Sequence, residues 1–145
     1  MRHTQGLMLG SIALTLLATV NIAWVQAPEA FKARLSAVPI DPISATNTRG
    51  SGSVAATLSG NVLAISGKFE GLNSPAVAAH VHRGYRGIRG PSVFDLTITK
   101  ATSGIVEGRM TLTAAQVQEL NRGWYYVQIH TQNNPEGHLR GWLLK

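Results

Sequence analysis

Histidine is the residue type in this chain whose pattern can do chemistry. Beyond the first 27 residues there are four: His80, His82, His130 and His138. His80-Val81-His82 lies in a stretch, Ala76 to His82, that reads as a β-strand. Residues i and i+2 of a strand share a face with about 6.6 Å between their Cα atoms, so both imidazoles can reach one ion. His130 ends a second strand, Trp124 to Thr131, whose face also carries Tyr126 and Gln128. His138 opens the partner strand, across the turn Gln132 to Gly137. A pairing in which residue numbers sum to 268 sets His138 opposite His130, and a slip of one residue turns it to the other face. Imidazoles without thiolate suit copper, zinc or another borderline metal, and three or four of them on rigid strands suit Cu(II). His80, His82, His130 and His138 are therefore the expected metal ligands, with copper as the expected ion and zinc as the alternative. The competing reading makes them structural or surface groups, since an isolated His-x-His pair is a weak signal.

Other chemistries find little support. The chain has no cysteine, which excludes disulfides, thiolate metal sites and a cysteine nucleophile. It has 7 Asp+Glu with no clustered pair and no Gly-x-Ser-x-Gly elbow, so hydrolytic dyads and serine triads lack their residues. No glycine loop opens a helix to cradle phosphate. The formal charge of +6 is scattered rather than run together, and nucleic acid is not an expected partner. Beside His82 lies a basic loop with Arg83, Arg86, Arg89 and Tyr85, which either steers an anion or an acidic protein or polymer, or is a solvated rim. Asp95 and Glu136 are the carboxylates nearest the histidines in sequence and are candidates to accept an imidazole N–H, with a solvent-facing Asp95 the simpler expectation. Arg140 is expected to pair with a carboxylate or a backbone carbonyl. Trp124, Tyr125, Tyr126 and Trp142 fall on the closing strands, where neighbours must face opposite sides.

The elements that position these residues read as all-β. Short apolar stretches at period two are separated by Gly, Asn, Ser and Pro: Phe31 to Leu35, Ser53 to Leu58, Val62 to Gly67, Ala76 to His82, Val93 to Thr99, Ile105 to Thr111, Trp124 to Thr131 and His138 to Leu144. Ser59-Gly60-Asn61 is a hairpin turn, and Pro39 and Pro42 make Val38 to Ile43 an edge or an extended crossing. Thr113 caps one short helix over Ala114 to Leu120. About eight strands with regular turns predict a β-sandwich or barrel. Residues 1–27 start basic and carry an apolar run from Leu7 to Val25, the pattern of a signal peptide or an N-terminal membrane anchor. Residues 28–145 are then one extracytoplasmic domain, periplasmic or secreted, with self-association into a homo-oligomer left open.

In order along the chain, Phe31-Lys32-Ala33-Arg34-Leu35-Ser36, Gly50-Ser51-Gly52-Ser53, Ala79-His80-Val81-His82-Arg83-Gly84 and Gly90-Pro91-Ser92-Val93-Phe94-Asp95-Leu96 resemble the CHRD domain, the module named after chordin. Gly123-Trp124-Tyr125-Tyr126-Val127-Gln128-Ile129-His130-Thr131 and Asn134-Pro135-Glu136-Gly137-His138-Leu139-Arg140-Gly141 complete the resemblance. It implies an antiparallel, Greek-key-like β-sandwich and a copper site at His80, His82 and His130. His138 departs from the family pattern, which has an acidic residue there. Storage or delivery of copper, or a redox activity of superoxide dismutase type, is the expected function; the alternative is a non-catalytic binding or adhesion module, as chordin's own association with growth factors implies.

Overall fold

This computed structural model describes residues 26–38, 41–46 and 48–145. Residues 1–25 of the expected leader lie outside the described residues, and among those described no helix is long and apolar enough to cross a membrane.

Eight strands form in chain order: β1 (Glu29–Ala37), β2 (Ser51–Ser59), β3 (Val62–Glu70), β4 (Ala76–Arg83), β5 (Ser92–Ile98), β6 (Gly104–Thr111), β7 (Tyr125–Thr131) and β8 (Leu139–Trp142). Every expected strand is present within a few residues. Alternation explains why: β1 and β2 bury every second side chain, and Phe31, Ala33, Leu35, Val54, Ala56 and Leu58 all point into one core. The two residues Gly60-Asn61 link β2 to β3, with Gly60 at φ 61°, as the hairpin signal predicts. Helix α2 (Ala114–Asn121) starts at a reciprocal cap: Thr113 Oγ1 accepts from the Gln116 N–H and the Gln116 side chain accepts from the Thr113 N–H. Val38 to Ile43 does not run extended throughout, because a single helical turn, α1, occupies Pro42–Ala45.

The expected sandwich is corrected to a closed barrel. Its strand order is β1-β2-β3-β6-β5-β4-β7-β8, and β8 returns to β1 through Ser36↔Arg140, Ala37↔Leu139 and the bridge Lys32↔Leu144. All pairings are antiparallel, and β4-β5-β6 is a meander whose last strand lies back beside β3, so the Greek-key element stands. Glycines inside strands make the curvature feasible. A Cβ on Gly52 would meet the Lys68 carbonyl at 2.6 Å and one on Gly67 the Ser53 carbonyl at 2.5 Å, which marks corners where backbones approach too closely for a side chain. The interior is filled by aliphatic and aromatic side chains, as an eight-stranded barrel requires.

Candidate metal centre

Three of the four candidate histidines, His80, His82 and His130, lie on the outer wall of the barrel. On β4, Ala79 and Val81 point inward and are fully buried, which turns His80 and His82 outward. The β4–β7 register pairs Ala78 with His130, His80 with Gln128 and His82 with Tyr126, so His130 sits diagonally from His80 on the same surface. Ala78, small and directly opposite His130, leaves that surface room. The ring centroids are 4.9 Å apart for His80 and His130, 5.8 Å for His80 and His82, and 5.7 Å for His82 and His130.

Loop carbonyls set which nitrogen of each ring is free. His82 Nδ1 donates to the Gly90 carbonyl at 2.9 Å, and His130 Nδ1 donates to the Pro135 carbonyl at 2.7 Å. A carbonyl only accepts, so both rings carry their proton on Nδ1 and present a bare Nε2. His82 Nε2 and His80 Nδ1 are buried and have no hydrogen-bond partner. His80 offers its other nitrogen, Nε2, to Asp95 Oδ1 at 3.5 Å across the β4–β5 register. His130 Nε2 faces only the Gln128 side-chain nitrogen, at the long distance of 3.5 Å. One ligand atom from each ring lies within 4.8 Å of the others, so the three share a point no more than about 2.8 Å from each, against metal–imidazole bonds of ~2.0–2.1 Å. Closing on an ion needs shifts of under about 1 Å. Buried imidazole nitrogens without partners are rare in a finished hydrogen-bond network, and two in one cluster is an observation a metal ion explains.

The loops are built for this contact. A Cβ on Gly90 would collide with the Arg83 carbonyl, so only glycine brings the Gly90 backbone close enough to engage His82. Tyr126 reinforces it: its hydroxyl donates to the Gly90 carbonyl at 3.2 Å and accepts from the Gly90 N–H at 3.0 Å, while its ring stacks on His82 at 5.0 Å and 11°. Gly137, at φ 129°, leaves the space that the Gln128 amide fills. The β4–β5 register also shifts between Val81 and His82, a bulge of the kind that re-aims a side chain.

His138 does not join the other three. The β7–β8 register does sum to 268, as Gln128↔Arg140 and Ile129↔Leu139 show. The ladder stops there, however, and the His138 N–H donates at 2.7 Å to Ile129, the residue Leu139 already faces. The ring is wholly buried, its Nδ1 accepting from Thr131 Oγ1 and the Asn134 amide, each at 3.0 Å, and its Nε2–H donating to the Arg49 carbonyl. Both nitrogens are spent on structure.

The remaining candidates sort differently from expectation. Asp95 is solvent-facing and also beside His80. Glu136 does not touch a histidine; its carboxylate takes Arg89 at 3.0 Å and its carbonyl takes Gln128 at 3.1 Å. Arg83 pairs with Glu119 at 2.6 Å, so two of the three loop arginines are already answered and Arg86 alone is without a partner among the described residues. Arg140 pairs with neither carboxylate nor backbone carbonyl, donating instead to Gln128 Oε1 at 2.7 Å. Tyr125 points inward to Glu119 while Tyr126 lies on the site face. Sequence reasoning missed the roles of Gly90, Pro135 and Gln128. For Gln128 a signal existed, since the sum of 268 that was read for His138 pairs it with Arg140.

Burial lowers the pKa of His82, against the Gly90 hydrogen bond that raises it and with His80, Arg140 and Arg89 lowering it further. Burial also lowers that of His130, opposed by Pro135 and aided by His80 and His82. Both are therefore more than half neutral in the fold at pH 6.5 and increasingly so above it, the state a metal ligand needs. In the unfolded chain these rings take protons from about pH 6.5 downward while the fold resists them, so acid favours unfolding. The metal-free protein is expected to lose stability from pH 6.5 downward, by at most about 1.4 kcal/mol per pH unit per histidine, and to be level above it. Denaturant unfolding in chelator across that range checks this; constant stability through it contradicts the lowered values.

In class, the molecule is a small all-antiparallel β-barrel that presents its polar cluster on the wall instead of in the lumen. The profile of the CHRD domain matches residues 31–143, and the chain belongs to the CHRD domain family, whose domains are typically extracellular. Comparison with curated proteins and with solved structures returned no match.

Proposed function

We propose that this is an exported metal-binding protein whose ion is held by His80, His82 and His130. The observation that carries the reading is the pair of partnerless buried nitrogens, His80 Nδ1 and His82 Nε2, beside a third nitrogen left bare by the Pro135 carbonyl. Copper is the favoured ion because the donors are all imidazole on rigid strands with no thiolate, a set zinc also accepts. Asp95 beside His80, and the two carbonyls beside His82 and His130, are the outer partners that orient ligating imidazoles. Three protein ligands leave a position for an exogenous group, which suits exchange or redox chemistry better than closed storage.

Titration of the purified chain with Cu(II), followed by electron paramagnetic resonance, tests the proposal. The expected result is one ion per chain with hyperfine couplings to imidazole nitrogen. No stoichiometric uptake of Cu(II) or Zn(II) overturns it and leaves the histidines as structural groups of a binding module.

A further inference from the structure

Arg140 is a cation that no carboxylate answers. It is 7% exposed, on β8, and its row across the wall runs Arg140, Gln128, His80. Its Cζ lies 5.0 Å from the Tyr126 ring centroid and 5.9 Å from that of Trp142. Tyr126 in turn stacks on His82, so a continuous stack leads from the guanidinium to a triad imidazole. Nε–H donates to Gln128 Oε1 at 2.7 Å, and Gln128 is itself fixed by its amide donating to the Glu136 carbonyl at 3.1 Å. The two terminal nitrogens have no acceptor among the described residues and are not sealed from solvent.

A guanidinium stays protonated wherever it is placed, and a buried charge is costly unless something answers it. The two aromatic rings offset part of that cost. They give its N–H groups no oxygen acceptor, and a guanidinium fork matches a planar or tetrahedral anion. Arg89, the other cation acting on His82, already has Glu136.

We propose that Arg140 docks a small anion, a compact inorganic oxyanion or a carboxylate group, beside the open position of the ion held by His80, His82 and His130. The inference rests on the metal reading above and adds the class of exogenous ligand: anionic, small and held on two sides, by the metal and by the guanidinium. Neutral ligands gain nothing from Arg140.

The test uses azide as the anion and the Cu(II)-loaded chain, with the azide-to-copper absorption and the paramagnetic spectrum as readouts. Copper stoichiometry is measured alongside in each protein. Arg140→Met is expected to weaken azide by roughly tenfold or more, the scale of one lost charge-assisted contact. Should that variant not fold, Arg140→Lys, which keeps the charge but loses the fork, is expected to weaken azide in the same direction. Copper bound normally with azide affinity unchanged in the folded variant overturns the anion site alone. A wild-type chain that takes up no copper overturns the metal reading and this inference with it.

Discussion

His82→Ala is expected to abolish tight metal binding while the barrel stays folded. Loss of a group that merely orients a ligand costs about 10–100-fold in affinity, and removal of the ligand itself costs more than that. His82 is the most consequential of the three because its bare Nε2 is buried, its Nδ1 is anchored by Gly90, and its ring is braced by Tyr126. The fold tolerates the loss because the side chain lies on the outer wall and takes no part in the aliphatic core. Titration with Cu(II) and far-ultraviolet circular dichroism check the two halves. Wild-type affinity in this variant removes His82 from the site.

His138→Ala gives the reverse signature. The Asn134 amide and Thr131 Oγ1 lose a buried partner, although Thr131 Oγ1 keeps the Asn134 N–H, and the Arg49 carbonyl loses its donor at the part-buried end of the ring. An abandoned buried polar group costs about 1–3 kcal/mol, so the loss in unfolding free energy is expected to be about 2 kcal/mol or more. Metal affinity stays at the wild-type value. Denaturant unfolding and the same titration decide it; a loss of metal binding with stability retained returns His138 to the ligand set. Together the two variants separate histidines that share a residue type and little else.

Much of this was legible locally. Period-two alternation located all eight strands, and Thr113 announced the α2 cap. His80 and His82 on one face followed from strand geometry alone, whereas the β7–β8 register, open in the sequence between a sum of 268 and a slip of one residue, is settled only by the ladder. What stayed hidden depends on contacts between distant segments. Closure requires Ser36 to meet Arg140, which no local pattern encodes. His138 falls just outside the ladder and leaves its face, its N–H donating to Ile129, which Leu139 already faces. The carbonyls of Gly90 and Pro135 are invisible to any reading by side-chain type, since every residue has one. Arg140 was expected to find a carboxylate or a carbonyl, but it lies beside Gln128 while Glu119 and Glu136 are taken by Arg83 and Arg89.

Closure of the sheet also has a bearing on how the chain comes to be folded. The seam between β1 and β8 joins segments separated by most of the sequence, and contacts of that span form late because the entropy of ordering the intervening chain must be met first. Until then β1 and β8 are open edges, able to pair with another molecule. Once the seam is made, every strand has neighbours on both sides and no template for such pairing remains. The hazard of aggregation thus falls in the interval between synthesis and closure, so a defect at the seam shows itself as poor yield before it shows as a lowered melting temperature.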